Sequence, residues 1–382
     1  MSPVLLVLNA GSSSVKFRVF EPVGLTCLAH GQAAHIGTTA DLSIQDDTTG
    51  RAERLDLPPR ADHELAIATV IDWLLRQQER WKVQAVAHRV VHGGREFSGP
   101  VQVDARVRAA LEALTPLAPL HQPHNLAALD ICSKYLPDLP QVACFDTAFH
   151  AAHTDLFSEF ALPARSTEVG VRRYGFHGLS YEWILQRLHT EYPELAKGRV
   201  VIAHLGNGAS LCALHEGKSV DSTMGMTALD GLPMGTRSGA LDPGALLFLL
   251  ETLGLSLTEI NHLLYHEAGL LGLSGETSDV ERLLNSGRPR ARFALDYFAL
   301  KVAQYIAQMG VSLGGIDTLV FTGGIGEHAL PVRADITKRI DWLHIARVLV
   351  MPTNEEAMMA QHTRDLLAQT SRAEPHRYTH GA

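Results

Sequence analysis

A turn of small, polar residues near the N-terminus is the first feature that could do chemistry. The stretch Asn9-Ala10-Gly11-Ser12-Ser13-Ser14 separates an apolar run from the alternating run VKFRVF, and both runs are typical of strands. Such a turn leaves backbone N–H groups uncovered and lets an anion approach closely. The hydroxyls of Ser12 and Ser14 and the charge of Lys16 add to this attraction. The pattern indicates a phosphate-binding hairpin, although taken by itself it also fits an ordinary serine-rich hairpin.

The second half of the chain repeats this design. Residues 200–214, VVIAHLGNGASLCAL, run from an apolar strand through Gly206-Asn207-Gly208 into a second apolar strand. A strand that ends in a diglycine also occurs twice, before Gly93-Gly94 and before Gly323-Gly324. Both repeats are accounted for by two copies of one unit that hold the phosphates of a nucleotide between their hairpins.

Several ionic or titratable residues lie where α/β proteins usually place their sites, at strand ends and in glycine-rich loops. They are Arg89, Asp146, His177 and Arg237. Phosphoryl transfer needs residues of these types, because cations must surround the transferred group and an acid must hold Mg²⁺. Each residue singly would also fit a solvated surface charge. The prediction of phosphoryl transfer therefore depends on their occurrence together with the two hairpins.

Other motifs narrow the class of protein. The chain contains no GxxxxGK[ST], HExxH or GxSxG pattern, so it is not a P-loop enzyme. The pairs His121-x-x-His124 and His150-x-x-His153 lack a third ligand at zinc-site spacing, and we expect these histidines to cap, hydrogen-bond or line a pocket. The cysteines are scattered without a CxxC, which favours a reducing compartment over disulfides or a zinc site.

Length, charge and hydropathy set further bounds. The 382 residues, with 46% hydrophobic and 19% charged residues, predict a globular protein of two or three domains. A net charge of −8 gives no support to a nucleic-acid partner. No apolar run approaches the ~18 residues of a membrane span, and the N-terminal VLLVL run is too short for a signal peptide core. We expect a cytoplasmic protein with neither nucleic acid nor membrane as a partner.

Strand and helix patterns alternate along the chain, as is typical of an α/β protein. The predicted strands include residues 83–91, 141–145, 199–204, 209–215 and 318–322. A helix is predicted over 257–265 and a last one over 354–368, whereas the stretch up to Gly175 shows no regular pattern. Because the strand before Asp146 ends the first half, we place the domain boundary near 147–150. The predicted domains are 1–148, joined by a C-terminal helix at about 356–382, and 149–355.

Ten stretches, in order along the chain, carry a resemblance to a known family. They are NAGSSSVKF (9–17), HRVVHGG (88–94), LAPLHQPHN (117–125), FDTAFH (145–150), YGFHGLS (174–180), HLGNGAS (204–210), GLPMGTRSG (231–239), GLLGLSG (269–275), FTGGIGEH (321–328) and TNEE (353–356). On these motifs the chain resembles the acetate/propionate kinase family of the actin-like and sugar-kinase-like ATPase superfamily. The resemblance covers nearly the whole chain, and it implies two duplicated ribonuclease-H-like α/β domains facing across a nucleotide cleft.

The resemblance also implies a reaction. It is the reversible, Mg²⁺-dependent transfer of a phosphoryl group from ATP to acetate, giving ADP and acetyl phosphate, with Mn²⁺ able to replace Mg²⁺. Family members pair through the second domain, so a homodimer and nucleotide binding by residues 149–355 are implied as well. Acetate is already ionised at pH 7 and needs no general base. We therefore interpret Asp146 as a residue that orients the metal rather than one that accepts a proton.

Site residues follow from the resemblance by position. The catalytic residues it implies are Arg89, His121, Asp146, His177 and Arg237, and the acetate pocket is formed by Arg89, Val91, Leu120 and Phe176. Metal binding is implied for Asn9 and Glu355. The implied ATP contacts are Lys16, Ser12, Ser14, His204, Leu205, Gly206, Asn207, Gly208, Asp279, Val280, Glu281, Gly323, Gly324, Ile325, Gly326 and Glu327.

The chain departs from the family pattern without losing any of the catalytic residues. Ala228 stands in place of a common proline, Ala240 of an aspartate, Tyr181 of a histidine and Glu281 of an arginine, while His266-Glu267-Ala268 replaces Lys-Lys-Ser. Two alternatives stay open. Propionate kinase is the nearer one, and Val91 in the acyl pocket favours the smaller acid. A nucleotide-binding protein without catalysis is the other, and the presence of both arginines argues against it.

Overall fold

The computed structural model describes residues 1–11, 13–119 and 121–373, and the predicted site residues Ser12 and Leu120 lie outside this part of the chain. The chain divides into two compact units. One unit comprises Met1–Ala148 together with the segment from Asn354 onward, and the other comprises Phe149–Thr353. We call them the N-terminal unit and the C-terminal unit. The functional division into domains stays a prediction.

A mixed sheet forms the centre of the N-terminal unit. Its strands are β1 (Ser2–Ala10), β2 (Val15–Phe20), β3 (Cys27–Ala34), β4 (Asp41–Asp46), β5 (Arg51–Asp56), β6 (Trp81–Val90), β7 (Val101–Gln102) and β8 (Gln141–Phe145). They pair in the order β5-β4-β3-β2-β1-β6-β8-β7. Strands β1 to β5 form an antiparallel meander, whereas β1, β6 and β8 run parallel. The parallel strands therefore bring their carboxyl ends to one edge of the sheet.

Helices cover this sheet and bury its apolar side chains. They are α1 (His63–Leu75), α2 (Ala105–Ala113) and α3 (Gln122–Tyr135). The first begins at Asp62, whose carboxylate accepts a hydrogen bond from the Leu65 N–H at 2.9 Å and so satisfies one donor of the first turn. The apolar face of α1 packs into one core with the alternate residues of β1 and β2.

The C-terminal unit is built around a second, smaller sheet. Its strands are β9 (Arg199–Leu205), β10 (Ala209–His215), β11 (Lys218–Ser222), β12 (Thr318–Thr322) and β13 (Arg347–Val350). They pair in the order β11-β10-β9-β12-β13, with β9 and β10 antiparallel and β9, β12 and β13 parallel. An antiparallel hairpin beside parallel strands thus recurs in both units, as the repeat in the sequence predicts.

Helices of 4 to 25 residues surround the second sheet. They are α4 (Asp155–Ser158), α5 (Ala164–Glu168), α6 (Gly178–Glu191), α7 (Pro193–Ala196), α8 (Pro243–Glu251), α9 (Leu257–His262), α10 (Gly269–Ser274), α11 (Val280–Asn285), α12 (Pro289–Leu313), α13 (Gly323–His328) and α14 (Leu330–Arg339). The last helix, α15 (Glu355–Ala373), belongs to the N-terminal unit and packs on β1 and β6. Within the described ranges, none of the helices has the length and apolar character that crossing a membrane requires.

Two stretches differ from the sequence-based prediction. The helix predicted over 257–265 ends at His262 and continues as a π-helical turn, Leu263–Glu267. A neighbouring loop explains this change, because the Ser238 N–H donates to the Leu264 carbonyl at 3.1 Å and the Thr236 hydroxyl donates to the Tyr265 carbonyl at 2.8 Å. The stretch up to Gly175, predicted to be irregular, contains the short helices α4 and α5.

Gly31 in β3 gives a test of the packing that supports the first hairpin. A Cβ at this position would lie 2.3 Å from the Ser43 carbonyl oxygen and 2.5 Å from Cε1 of Phe17. We expect Gly31→Ala to destabilise the protein by about 1–3 kcal/mol through overpacking, measured as a lower midpoint of thermal or urea unfolding. Gly99→Ala is the matched control, because nothing lies within 4 Å of its Cβ position. Equal midpoints for the two variants would contradict this account.

Candidate active site

The first hairpin turn closes through its own backbone. The Gly11 N–H donates to the Ser14 carbonyl at 2.8 Å, and Nε2 of His63 lies 2.7 Å from the Gly11 carbonyl oxygen. In the antiparallel register Lys16 lies directly opposite Asn9. Cross-strand partners have neighbouring side chains, so an ammonium group and an amide lie side by side at the mouth of this turn.

Arg89 and Asp146 form a bidentate ion pair at the carboxyl ends of β6 and β8. Nε and Nη2 of Arg89 donate to the two carboxylate oxygens of Asp146 at 2.9 and 2.5 Å. Nη1 of the same guanidinium lies 3.5 Å from Oδ1 of Asn9. The Asp146 side chain is only 2% exposed. Because both of its oxygens already accept from Arg89, this carboxylate is held as an oriented anion rather than as a mobile base.

Further carboxylates at the start of α15 lie in the same electrostatic environment. Burial raises the pKa of Glu355 to about 7, and the negative charges of Asp146 and Glu356 raise it as well, whereas Arg89 and Lys16 oppose the shift. The charges of Asp146, Glu355 and Glu356 raise the pKa of Arg89 above its ordinary value despite its burial. Asn9, Arg89, Asp146 and Glu355, which the sequence assigns to the site, are therefore brought together within the N-terminal unit.

The donor set of this cluster fits a hard divalent cation. Asn9, Asp146 and Glu355 offer amide and carboxylate oxygens, the ligands that Mg²⁺ prefers. Burial is the main cause of the raised pKa of Glu355, and the negative charges of Asp146 and Glu356 add to it, so a divalent cation would offset those charges. The residues present therefore suit Mg²⁺ better than a soft metal ion.

Two buried amides on α3 support the cluster, and sequence reasoning missed them. Nδ2 of Asn125 donates to the Ala10 carbonyl at 2.9 Å, and its Oδ1 accepts from the Val91 N–H at 3.0 Å. Gln122 donates to the His92 and Leu111 carbonyls. Asn125 thus ties the end of β1 to the segment after β6, which positions Val91. The spacing of the two amides, i and i+3, places them on one face of α3, and this spacing alone does not distinguish buried amides from exposed ones.

In the C-terminal unit, a second turn is joined to a glycine-rich loop. The Gly206 N–H donates to the Gly208 carbonyl at 2.9 Å, and the Gly235 N–H donates to the Asn207 carbonyl at 3.0 Å. Arg237 lies in this loop, and its Nη1 donates to the Ala228 carbonyl at 2.9 Å. The loop that carries Arg237 is therefore hydrogen-bonded to the turn at residues 206–208.

His177 points toward the same turn. It precedes α6 with a left-handed φ of 57°, a conformation rare outside glycine. Its ring stacks on His204 with centroids 4.4 Å apart. A Cβ added at Gly208 would lie 3.1 Å from Nε2 of His177 and 3.9 Å from Nη2 of Arg237. His177 and Arg237 therefore converge on Gly208, where a Cβ would crowd the His177 ring.

Other predicted nucleotide contacts have structural partners. Oε1 of Glu327 accepts from the Gly323 N–H at 2.9 Å and from the Thr353 N–H at 3.1 Å. Asp279 caps α11 by accepting from the Glu281 and Arg282 N–H groups. The side chains of Leu205 and Val280 are buried, so only their backbone could face a nucleotide. Gly323, Gly324, Ile325 and Gly326 form the first turn of α13.

The other described residues that the sequence predicts to line the acyl pocket, to contact the phosphoryl group or to form a histidine pair lie at buried or half-buried positions or at a helix end. Val91 and Phe176 are buried, and His121 lies at the N-terminal end of α3. The pair His150 and His153 hydrogen-bonds Ser219 at 2.8 and 2.7 Å. Burial lowers the pKa of His150 to about 4 and that of His153 to about 3.

Among the described residues, ligand atoms of Cys27, His30 and Asp47 lie within 4.8 Å of one another. The sequence did not predict this cluster. His30 and Asp47 are both exposed and form an ion pair of 2.9 Å, so the pair accounts for their proximity. All four cysteines are free thiols.

The structure is an α/β protein with two units. One unit carries an oxygen-donor cluster beside a turn of small residues, and the other carries arginine and histidine side chains beside a glycine-rich turn. Such features are typical of proteins that bind phosphorylated ligands. Residues 4–350 match the model of the acetokinase family. The chain is 44% identical to the acetate kinase of Rhodopseudomonas palustris, over 95% of this chain and 98% of that protein. It is also 44% identical to the acetate kinase of Nitrobacter hamburgensis, over 96% and 97%.

Solved structures agree with these matches. A propionate kinase from Francisella tularensis superposes with a TM-score of 0.89 at 36% identity, covering 95% of this chain and 99% of that one. The acetate kinase of Porphyromonas gingivalis gives a TM-score of 0.85 at 34% identity, with 96% and 100% covered. The chain belongs to the acetokinase family.

Proposed function

We propose that the protein is an acetate kinase, which transfers a phosphoryl group from ATP to acetate and gives ADP and acetyl phosphate, reversibly and with Mg²⁺. The observation that carries the proposal is that this member of the family has every catalytic residue that the resemblance implies. Asn9, Arg89 and Asp146 are linked within one unit, and His177 and Arg237 converge on Gly208 in the other. We assign the substrate carboxylate to Arg89 and the nucleotide phosphates to the turn at residues 206–208.

Charge repulsion is the main obstacle to this reaction. A carboxylate has to approach a polyanionic phosphate, and both must be neutralised while the bond forms. Arg89 already uses two nitrogens on Asp146, so a substrate carboxylate would meet its Nη1 or displace the Asn9 amide. Arg237 and His177 would face the charge that develops on the transferred phosphoryl group.

Asn9 and Glu355, with the oriented carboxylate of Asp146, would hold the magnesium ion. When bound, Mg²⁺ neutralises charge on the phosphate oxygens, and Mn²⁺ can serve the same purpose. Asp146 keeps its position through Arg89 and takes no proton, because the acetate nucleophile is already ionised. Glycines at positions 206 and 208 allow the nucleotide phosphates to approach the backbone closely.

Acetate is favoured over propionate by the acyl pocket. Val91 is 5% exposed and its N–H is fixed by Asn125, so its side chain has little room to withdraw. One methylene in an apolar pocket changes specificity by roughly 10–200-fold. A binding protein without catalysis is the second candidate, and the convergence of His177 and Arg237 argues against it, because nucleotide binding alone needs no such pair.

A coupled assay tests the activity. Purified protein with ATP, Mg²⁺ and acetate should form acyl phosphate, trapped as the hydroxamate, and omission of any one component should abolish the product. Propionate and butyrate are compared as kcat/KM, with acetate expected to be the best substrate. ATP binding without acyl phosphate from any of the acids would support the binding protein, and a higher kcat/KM for propionate would support a propionate kinase.

Truncation of Arg89 and of Arg237 should change the kinetic constants in different ways. Arg237→Ala should lower kcat by ~10²-fold or more, the effect of losing one preorganised donor to developing charge. Arg89→Ala should also raise the acetate KM, and it should lower the unfolding midpoint because Asp146 would be left buried without its partner. Arg106→Ala, at an exposed ion pair with Glu96, is the control. Losses confined to KM in both variants would contradict these assignments.

We also propose that the protein is a cytoplasmic homodimer that pairs through the C-terminal unit. Helix α8, of sequence PGALLFLLE, has no buried residue. Leu247 and Phe248 are 52% and 54% exposed, and Leu253 and Leu257 nearby are 58% and 75% exposed. Apolar patches of this kind are typical of surfaces that a partner covers. The four free cysteines favour a reducing compartment.

Light scattering after gel filtration tests the dimer. The wild-type protein should elute with the mass of two chains, and Phe248→Glu should shift it toward one chain because a charge cannot be buried in an apolar contact. Val23→Glu, at a more exposed apolar position in the N-terminal unit, should leave the mass unchanged. A monomeric wild-type protein, or a Phe248→Glu variant that stays dimeric, would overturn this interface.

A further inference from the structure

Two residues in the first turn of α6, Ser180 and Tyr181, are connected by hydroxyl hydrogen bonds to the stacked pair His177 and His204. The hydroxyl of Tyr181 hydrogen-bonds the hydroxyl of Ser210, and Oγ of Ser210 lies 2.8 Å from Nδ1 of His177. Tyr181 and Ser210 are both fully buried. The Tyr181 hydroxyl is thus joined to the imidazole of His177 through one intervening side chain on β10.

His204, the stacking partner, has an equivalent arrangement. The hydroxyl of Ser180 lies 2.8 Å from Nδ1 of His204 and 2.7 Å from Oγ1 of Thr353. In the antiparallel register of β9 and β10, Ser210 lies opposite His204. Each Nδ1 therefore faces a serine hydroxyl that is itself hydrogen-bonded to a second hydroxyl.

The other ring nitrogen of each histidine faces a glycine of the second turn. A Cβ at Gly208 would lie 3.1 Å from Nε2 of His177, and one at Gly206 would lie 3.8 Å from Nε2 of His204. A neutral imidazole carries one proton, and the group that contacts one nitrogen decides which nitrogen holds it. The hydroxyl pairs can therefore determine what the Nε2 atoms present to this turn.

We propose that Tyr181 is a positioning residue that fixes the tautomer of His177 through Ser210. A phenol is more acidic than an aliphatic alcohol, so Tyr181 is the better donor of the two hydroxyls. When Tyr181 donates to Ser210, the Ser210 proton is directed to Nδ1 of His177. Nε2 then carries the imidazole proton and presents a donor toward Gly208.

The consequence for catalysis rests on the proposed function. The transferred phosphoryl group is anionic and needs donors at fixed positions, and an Nδ1-protonated His177 would turn a lone pair toward it. Tyr181 touches neither substrate nor the reacting atoms in this account. Its contribution is to keep His177 in the donating form and the ring in the stacked orientation.

Tyr181→Phe tests the proposal because it removes one hydroxyl from a buried ring and keeps the contacts of that ring with Phe149 and His150. We expect kcat to fall about tenfold, the scale of one net hydrogen bond, with the KM for ATP changed less than twofold. Tyr192→Phe, at the other end of the same helix and 41% exposed, should retain the wild-type kcat.

A double-variant cycle separates the hydroxyl chain from a packing effect. Ser210→Ala should lower kcat at least as much as Tyr181→Phe, and adding Tyr181→Phe to Ser210→Ala should cost less than a further twofold, because the two act in series. If the two losses instead multiply, Tyr181 acts by packing and the proposal is wrong.

A spectroscopic measurement makes the test independent of activity. In protein with ¹⁵N-labelled histidine, the His177 signals, assigned by their loss in His177→Asn, should show the Nε2–H tautomer. Tyr181→Phe should shift them toward a mixture. An unchanged tautomer in Tyr181→Phe, or an Nδ1–H tautomer in the wild-type protein, would overturn the proposal. Because this result needs no turnover, it is distinguishable from a failure of the acetate kinase assignment.

Discussion

The buried ion pair of Arg89 and Asp146 is the interaction on which the N-terminal site depends. Removing two charges from water costs several kcal/mol for each ion, and only close, well-aligned hydrogen bonds offset this cost. The sheet supplies the alignment, because Arg89 of β6 lies opposite Cys144 of β8, two residues before Asp146. The parallel register of two buried strands therefore decides whether the guanidinium meets the carboxylate through two bonds or one. Asn9, at the end of the adjacent β1, reaches the same guanidinium.

Much of the fold could be predicted from the sequence, since several of its inner strands are nearly continuous apolar runs. The bounds predicted for β8, β10 and β12 agree with the structure, and these strands are buried along nearly their whole length. The meander β3 to β5 was not predicted. Its strands carry His30, Gly31 and several charged residues, and the outermost strand, RAERLD, is largely exposed. Edge strands often carry such polar residues, which removes the hydrophobic alternation that a sequence pattern can detect.

The sequence can suggest site residues where chemistry dictates the residue type, and it cannot do so where geometry alone decides. Arg89, Asp146, His177 and Arg237 were predicted because ionic or titratable residues at strand ends and in glycine-rich loops occur together with two hairpins, and their roles stay a prediction. Asn125 could not be recognised, since an amide in a helix is common on exposed faces. Its two hydrogen bonds to β1 and to Val91 depend on helix packing. Glu327 was predicted as a nucleotide contact, and its Oε1 accepts hydrogen bonds from the backbone N–H groups of Gly323 and Thr353.

Three groups that could act as bases, Asp146, His177 and His204, each have a hydrogen-bond partner that fixes their orientation. Asp146 accepts from Arg89 through both oxygens, and Nδ1 of His177 and of His204 each meets a serine hydroxyl. An enzyme that had to ionise an alcohol would keep such a group within reach of the substrate proton. A carboxylate substrate carries no such proton at neutral pH. The charged and polar side chains can therefore be committed to orientation and charge neutralisation, which is what a reaction between two anions requires.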